Sequence, residues 1–292
     1  MCAMRHMPEP SGCWARTVKR MTTALVTGAS AGLGAEFCRQ LAASGHDLVV
    51  VARSADRLEA LAQSLRTEHG VRVETLPADL ADRSALQTVA ERLAGAGPDG
   101  ADGRPGSGAG PVDLLVNNAG FGIGTSFTRT PVEEEERALD VMCRAVLVLS
   151  HAAAAAMAPR GRGGILNVSS VASFTAMGTY SANKAWVTTF TEALADELAP
   201  TGVRVSAVCP GFTHTEFHDR AAMNMSRLPD GMWLDAPDVV AAALDGLRRG
   251  RTVVVPGAHY RALTGVMRVL PRSVVTRISG GLGRARRTES GI

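Results

Sequence analysis

Short apolar runs alternate with amphipathic segments from residue 22 to residue 257, and this alternation restricts the fold more than any other feature. The runs are apolar throughout, as in "LVVVA" within residues 46–53, rather than polar at every second position. Strands of this kind lie in sheets that are buried on both faces, and the helices between them are crossover connections. The sequence therefore predicts one α/β domain with a doubly wound parallel sheet of about seven strands and helices on both faces.

The predicted elements follow from the apolar periodicity and from the glycine and proline residues near the ends of each run. The predicted strands are 22–28, 46–53, 71–77, 112–120, 163–170, 203–210 and 251–257, and the predicted helices are 31–45, 54–69, 82–94, 130–157, 178–199 and 236–249. The fourth helix begins with a capping-box pattern, in which Thr130 is the N-cap, Pro131 lies in the first turn and Glu133 follows three residues after Thr130.

Three segments lie outside the alternation. Residues 1–20 have no apolar stretch of the kind found in signal peptides, and we expect a poorly ordered extension there. The insertion 95–111 has seven glycines and three prolines in 17 residues, which predicts a flexible loop within the domain. The catalytic domain is therefore expected to span 21–257, followed by a basic C-terminal tail, 258–292.

The composition argues against nucleic acid as a partner, against a zinc site and against a membrane-spanning helix. The formal net charge is only +3, and before the tail it is not concentrated enough to suggest nucleic acid. The five cysteines have no CxxC or zinc spacing, which is typical of reduced thiols in a cytoplasmic protein. No run of 18 apolar residues occurs, so we expect no membrane-spanning helix. The small residues of "HAAAAAM" suit tight helix packing, and we expect a homodimer or homotetramer.

The tail is the most basic part of the chain, with seven arginines and one acidic residue from 258 to 292. Its first part has helical spacing, with one apolar face and one arginine face: Leu263, Val266, Met267 and Leu270 against Arg261 and Arg268. This pattern suits a helix at a membrane surface, and it equally suits a helix packed on its own domain or on a partner. Gly265 and Pro271 would shorten the helix, which favours packing.

A glycine-rich turn joins the first strand to the first helix in "TGASAGLG", residues 27–34. Glycines allow a tight turn and close approach of the backbone to a pyrophosphate, and the amides at the start of the helix provide partial positive charge. A strand before the turn and a helix after it are the context that this mechanism requires. The expected fold is therefore a Rossmann-type sheet that binds a dinucleotide.

Arg53 ends the second strand and indicates which dinucleotide binds. An acidic residue at this point would bind the ribose 2′-hydroxyl of NAD, whereas an arginine accommodates the 2′-phosphate of NADP. The sequence therefore favours NADP(H) over NAD(H), although a solvated arginine at the start of a helix would look the same.

Five further motifs occur in order: "PADL" with Asp79, "NNAG" (117–120), "NVSS" (167–170), "YSANK" (180–184) and "PGFTHT" (210–215). With the glycine turn, they make the chain from about residue 22 to 256 resemble the short-chain dehydrogenase/reductase family, in its shorter single-domain branch. The glycine spacing also differs from that of two-domain dehydrogenases.

The resemblance implies hydride transfer between nicotinamide and a small carbonyl or alcohol substrate, with a tyrosine as general acid/base and no metal. The implied catalytic residues are Ser170, Tyr180 and Lys184. The implied cofactor-binding residues are Gly28, Ser30, Gly32, Leu33, Gly34, Arg53, Asp79, Leu80, Asn118, Ala119, Gly120, Tyr180, Lys184, Pro210, Gly211, Thr213 and Thr215.

The chemistry of "YSANK" agrees with these roles. Tyr180 and Lys184 are four residues apart on a predicted helix and share one face. A tyrosine with a pKa near ~10 is a poor acid–base catalyst at neutral pH, and a nearby ammonium together with an oxidised nicotinamide would favour the phenolate and lower that pKa. Only Lys19 and Lys184 are lysines among 31 basic residues. The retained lysine suggests a need for a compact donor that arginine cannot replace.

Two departures from the family keep other functions open. Met142 aligns where many members have an asparagine that holds a proton-relay water, and Tyr180 follows Ser170 by only ten residues. The short loop predicts a more open pocket for a substrate that could be apolar. The alternatives are a catalytically impaired, NADP-binding regulatory protein and a membrane-surface reductase of a lipid ketone.

Several residues after the sixth predicted strand could line the pocket, or could simply be solvated or packed. They are His214, Glu216, Met223, Met225 and Trp233. The histidines His151, His214 and His218 have no metal-ligand pattern around them.

Overall fold

The computed structural model describes residues 22–95, 110–123, 126–216, 229–271, 273–277 and 279. Its centre is one sheet of seven parallel strands in the order β3-β2-β1-β4-β5-β6-β7. The strands are β1 Thr23–Thr27, β2 Asp47–Ala52, β3 Val73–Pro77, β4 Val112–Asn117, β5 Gly163–Val168, β6 Val203–Val208 and β7 Val253–Val254. The prediction of a doubly wound parallel sheet is confirmed.

Helices cover both faces of this sheet. They are α1 Gly32–Ala43, α2 Ala55–His69, α3 Arg83–Leu93, α4 Val132–Leu139, α5 Ala145–Met157, α6 Thr179–Leu198, α7 Ala236–Arg248 and α8 Ala258–Val269. One buried apolar cluster joins α1, α2 and α7 to the sheet, and a second joins α3, α5 and α6 to the opposite face. Each strand is therefore covered by apolar side chains on both sides, which is why the strands read as unbroken apolar runs.

The predicted helix 130–157 departs from the prediction at its start and in its middle. The N-cap position is Pro131, without a side-chain hydrogen bond, and the Thr130 hydroxyl donates to the Ser126 carbonyl instead. The predicted capping box is therefore wrong. A π-helical turn, Asp140–Arg144, separates α4 from α5. A π turn holds one more residue than an α turn, so it rotates α5 about the helix axis relative to α4.

The helical rod Val132–Arg160 is, by length and composition, able to cross a membrane: it has 29 residues and contains an 18-residue window with a mean hydropathy of 1.7. This finding is at odds with the expectation of no such helix. The buried side chains of α5, including Leu149, Ala153 and Met157, belong to the apolar cluster on the sheet. These contacts are those of a core helix.

Helix α8 contacts the domain through a different face from the one that the apolar pattern marks. Tyr260 and Thr264 are buried, at 1% and 3% exposure. Leu263, Val266 and Val269 are 42%, 54% and 82% exposed. Helix α8, the first part of the tail, therefore packs on the domain, but through Tyr260 and Thr264 rather than through Leu263 and Val266.

Several predictions about segment boundaries are not tested, and two strands are shorter than predicted. The extension 1–20 and most of the insertion 95–111 lie outside the described residues, and the domain boundaries stay predictions. Strand β4 ends at Asn117, three residues before the predicted end, and β7 has two residues. Cys38, Cys143 and Cys209 are free thiols.

Candidate active site

The strand order brings the motif residues to one edge of the sheet. Strands β1 and β4 are neighbours, and the chain moves outward from them in opposite directions, to β3 on one side and to β7 on the other. In an open parallel sheet, such a switch point leaves a crevice outside the carboxyl ends of the strands. The glycine turn follows β1, "NNAG" ends β4, "NVSS" ends β5 and the "PG" segment follows β6.

The turn after β1 is shaped by glycines that no other residue could replace without a shift. Gly28 has φ +65°, and a Cβ at Gly34 would lie 2.1 Å from the Gly28 carbonyl oxygen. No side chain makes a cap hydrogen bond at Ala31, the N-cap of α1. The turn thus offers close backbone approach and uncapped helix amides, which fit the pyrophosphate of a dinucleotide.

Asn118 and Thr27 bind the glycine turn to the end of β4. The Asn118 side-chain amide donates to the carbonyls of Thr27 at 2.9 Å and Gly28 at 3.2 Å. The Thr27 hydroxyl accepts from the backbone amides of Asn118 at 3.0 Å and Ala119 at 3.1 Å. Asn118 therefore supports the turn from the protein side. Thr27 was not among the predicted site residues, although it opens the glycine motif.

A second group of polar contacts crosses the centre of the sheet beneath the site. The Asn117 side chain donates to the Asn167 side-chain oxygen at 2.9 Å and to the Ser150 hydroxyl at 3.1 Å. Asn167 in turn donates to the Thr191 hydroxyl at 2.9 Å. These buried bonds tie β4 and β5 to α5 and α6, and so fix the helix that carries Tyr180 and Lys184. Asn167 opens the "NVSS" motif but was not among the predicted site residues, and Thr191 lies in no motif that could have marked it.

Ser170 and Tyr180 meet at the end of β5. The Ser170 hydroxyl accepts from the Ala172 amide at 3.1 Å, and it also forms a hydrogen bond with the Tyr180 side chain. Burial raises the pKa of Tyr180 to about 12, and the bond with Ser170 works against that rise. In the protein alone, the phenol is therefore in its neutral form around neutral pH.

Lys184 lies beside this pair and is only 4% exposed. Its Nζ donates to the Val168 carbonyl at 2.8 Å and lies 5.7 Å from the centre of the Tyr180 ring. Burial lowers the pKa of Lys184 to about 8. The expected lowering of the Tyr180 pKa by the ammonium together with an oxidised nicotinamide stays a prediction; in the protein alone, burial of the phenol is the largest effect on that pKa.

Met142 occupies the π turn next to Lys184. It is 1% exposed, and a Cβ built on Gly120 would lie 3.4 Å from the Met142 Cγ and 3.6 Å from the Lys184 Nζ. The thioether side chain therefore fills space close to the lysine, where it cannot offer the hydrogen bonds of an amide. Gly120 leaves this corner of the crevice open.

The residues assigned to the adenosine side lie at the ends of β2 and β3. Arg53 is exposed, immediately before Ser54, the N-cap of α2. Asp79 accepts from the Arg137 side chain at 2.7 Å and from the Ala81 amide at 3.1 Å. Burial alone would raise the pKa of Asp79, but these bonds outweigh it and hold the pKa below its usual range. Leu80 is buried.

The segment after β6 closes the crevice from the other side. The structure places Pro210, Gly211, Thr213 and Thr215 there, and a Cβ on Gly32 would lie 3.3 Å from the Thr215 Cβ. Thr215 thus approaches the glycine turn directly. Of the remaining predicted residues, Ser30 lies in the turn, and Leu33 packs against the apolar cluster of α1, α2 and α7.

The residues weighed as pocket lining divide into two groups. The His214 ring stacks on Trp233, with ring centres 4.6 Å apart. Glu216 lies 4.0 Å from Arg57. Met223 and Met225 lie outside the described residues, as does His218, one of the histidines without a metal-ligand pattern. Across the part of the chain that the structure describes, no three His, Cys, Asp or Glu residues are grouped so that they could hold a metal ion.

Known proteins resemble this chain in both sequence and structure. The family profile described as short chain dehydrogenase matches residues 22–225. The chain is 34% identical over 240 residues to glycine betaine reductase ATRR of Emericella nidulans, a match that covers 80% of this chain but 18% of that protein.

Two solved structures are similar over most of the chain. One is a short-chain dehydrogenase from Sphingobium yanoikuyae in complex with NADPH, with 35% identity, a TM-score of 0.74, and coverage of 86% of this chain and 97% of that one. The other is the bulky-bulky ketone specific alcohol dehydrogenase from Comamonas testosteroni, with 32% identity, a TM-score of 0.70, and coverage of 86% and 96%.

Proposed function

Because the chain belongs to the short-chain dehydrogenase family, we propose that it is an NADP(H)-dependent oxidoreductase that interconverts a carbonyl compound and an alcohol. Family membership establishes the oxidoreductase class. The cofactor, the residue roles and the substrate are the proposal. The observation that carries it is the contact between Tyr180 and Ser170 beside the buried Lys184.

The residues at the carboxyl ends of the strands would hold the dinucleotide. The turn at Gly28–Gly34 would receive the pyrophosphate, and Gly120, Lys184 and the Pro210–Thr213 segment would border the nicotinamide. The bound nicotinamide would supply or accept the hydride. Apolar cover from both faces of the sheet would keep the base of the site dry.

Tyr180 would exchange the proton at the substrate oxygen. Its pKa of about 12 in the protein alone favours the neutral phenol, which is the donor needed for carbonyl reduction. The Ser170 hydroxyl would donate to the same substrate oxygen and polarise the carbonyl. The Lys184 ammonium would steady the phenolate that remains after donation, since opposite charges close together stabilise each other.

The preference for NADP(H) rests on Arg53. An exposed guanidinium at the end of β2 can pair with a 2′-phosphate, which a carboxylate there would repel. The similar structure from Sphingobium yanoikuyae holds NADPH, which supports the same choice.

The proposed substrate class is a small-molecule ketone, or its alcohol, whose carbonyl carbon can carry two bulky substituents. The short connection from Ser170 to Tyr180 leaves little chain to cover the site, and the similar Comamonas testosteroni enzyme is described as specific for bulky-bulky ketones. A location in the cytoplasm and assembly as a homodimer or homotetramer belong to the same proposal; free Cys38, Cys143 and Cys209 agree with a reducing compartment.

A screen of ketones with the purified protein tests this function directly, with NADPH consumption followed by absorbance. Oxidation of NADPH that depends on a ketone, and that is much weaker with NADH, is the expected result. The proposal fails if no carbonyl compound or alcohol in a broad panel is turned over with either cofactor.

A second candidate is a protein that binds NADP(H) without turnover. Met142 beside Lys184 favours it, because an apolar side chain there cannot pass a proton to solvent. Tight NADPH binding, measured by the fluorescence of the reduced nicotinamide, together with no turnover in the ketone screen, would identify this candidate. Turnover would exclude it.

A further inference from the structure

Tyr260 lies at the start of α8, distant in sequence from every motif of the site, yet its side chain reaches the segment after β6. It is 1% exposed, and it follows Gly257, whose φ of +81° turns the chain into α8. The Tyr260 ring packs against Gly211 so closely that a Cβ there would lie 2.0 Å from the Tyr260 Cε2. The Tyr260 ring therefore leaves no room for a side chain at position 211, and this requirement for glycine is independent of any cofactor.

The Tyr260 hydroxyl uses both of its hydrogen-bonding roles. It accepts from the Phe212 amide at 3.1 Å and donates to the Met232 carbonyl at 2.7 Å. A single phenol thus connects the segment 210–213 to the turn at 230–233. The same two stretches also meet through the Leu234 amide, which donates to the Phe212 carbonyl at 2.8 Å.

The C-terminal segment also contacts the loop between Ser170 and Tyr180. The Arg268 guanidinium lies 5.0 Å from the centre of the Phe174 ring. The Ser279 hydroxyl accepts from the Ala176 amide at 3.3 Å. The short loop is therefore supported by the chain after β7 as well as by residues of its own.

We propose that Tyr260 is a positioning residue of the active site: it fixes the Pro210–Thr213 segment that borders the nicotinamide, while α8 joins this segment to the loop after Ser170. The effect on cofactor binding rests on the function proposed above. The effect on the backbone of Phe212 does not, because that hydrogen bond exists in the protein alone.

Tyr260 restricts the Pro210–Thr213 segment before any ligand binds. Without Tyr260, the Phe212 amide would lose its acceptor, and the backbone at Gly211, which has no side chain to restrict it, would gain conformational freedom. A cofactor or substrate that needs one conformation of this segment would then bind more weakly, because binding would have to order it. The Tyr260 ring and hydroxyl order the segment before the ligand binds, so binding does not have to supply the free energy of ordering it.

The test replaces Tyr260 with phenylalanine in the full chain and uses Thr264→Val as the matched control. Both variants lose one buried hydroxyl from α8, but the Thr264 hydroxyl donates only to carbonyls of its own helix, at Tyr260 and Arg261. Hydrogen exchange of the Phe212 amide is measured by NMR in the cofactor-free protein. Faster exchange at Phe212 in Tyr260→Phe, but not in Thr264→Val, is expected.

Kinetic measurements on both variants distinguish loss of segment positioning from general destabilisation of the fold. The KM for NADPH should rise roughly three- to tenfold in Tyr260→Phe, with a smaller change in kcat, as expected for one lost neutral hydrogen bond. Thr264→Val should keep both values. Unchanged exchange at Phe212 overturns the proposal, as does an equal rise in KM for both variants. A wild type that never oxidises NADPH refutes the proposed function, while the exchange data still decide whether Tyr260 fixes the segment.

Discussion

The Nζ atom of Lys184 lies 5.7 Å from the centre of the Tyr180 ring, close enough for its charge to act on the phenol, but it is held by the Val168 carbonyl. The phenol and the ammonium are both desolvated, and burial moves the pKa of Tyr180 up to about 12 and that of Lys184 down to about 8. Both shifts favour the neutral forms. In the proposed mechanism, catalysis by this pair therefore depends on what the bound cofactor and substrate add to it.

Lys184→Arg should lower turnover at neutral pH by roughly 10²–10⁴-fold, the range for loss of acid–base function. Arginine keeps a positive charge, but its planar fork does not fit a buried pocket built for one ammonium. Part of the rate should return at high pH, most clearly for alcohol oxidation, where Tyr180 can ionise with less help. Lys184→Met should be worse. The control is Lys19→Arg, and a pH–rate profile of Lys184→Arg that overlays the wild type would refute the role.

Lys184 should titrate well below an exposed lysine. Burial disfavours the charged form, so the proton should leave with a midpoint near pH 8 in the cofactor-free protein. The measurement is a ¹³C NMR titration with lysine labelled at Cε, which gives two signals because the chain has only two lysines. Lys19→Arg assigns the Lys184 signal. A Lys184 midpoint at or above the ordinary value of about 10.4 would contradict the burial argument.

Tyr180→Phe should lose turnover by roughly 10²–10⁴-fold while it still binds NADPH, because the ring stays and only the exchangeable proton is lost. Ser170→Ala should also lower the rate with cofactor binding intact. Ser173→Ala, in the same loop, is the matched control and should turn over substrate within a few-fold of the wild type. Rates come from NADPH absorbance and binding from fluorescence. Near-normal turnover in Tyr180→Phe would move the catalytic centre elsewhere in the crevice.

Arg53→Ala should weaken NADPH binding roughly ten- to a hundredfold and leave NADH binding almost unchanged, since hydrogen bonds to charged groups contribute about 1.5–3 kcal/mol. Arg57→Ala provides the comparison, because Arg57 is an exposed arginine in the first turn of α2, 4.0 Å from Glu216. Fluorescence titration with both cofactors gives the dissociation constants. Equal affinity of the wild type for NADPH and NADH would show that Arg53 does not select the cofactor.

The sheet and the motif positions could be predicted because each depends on the residue types within a short stretch of sequence. Continuous apolar strands, such as β2, indicate cover on two faces, and glycines such as Gly34 occur where a Cβ would collide with the backbone. Strand β1 and the Asn118 turn meet because parallel strands end at the same edge. For these features, the residue type alone indicates the local geometry: apolar residues indicate burial, and glycine indicates close backbone contact.

The support of the site could not be predicted in the same way. Tyr260 touches Gly211 across 49 positions of sequence, and nothing near either residue signals the contact. The periodicity of α8 marked Leu263 and Val266 as its packing face, but one aromatic ring with a bonded hydroxyl outweighed the apolar stripe. The π turn at Asp140–Arg144 was also missed, since one extra residue in a helix leaves the apolar spacing nearly intact.

Because Tyr260 comes 48 residues after Phe212 in the sequence, the bond between them can form only late in synthesis. All residues of the glycine turn, the catalytic group and the "PG" segment leave the ribosome before Tyr260 does, and domains tend to form from the amino-terminal side. A nascent chain that ends before α8 therefore carries every reactive side chain of the site while Gly211 still lacks the ring that packs on it. On the role proposed for Tyr260, the reactive groups are therefore made first, and the ring that fixes the Pro210–Thr213 segment is made after them.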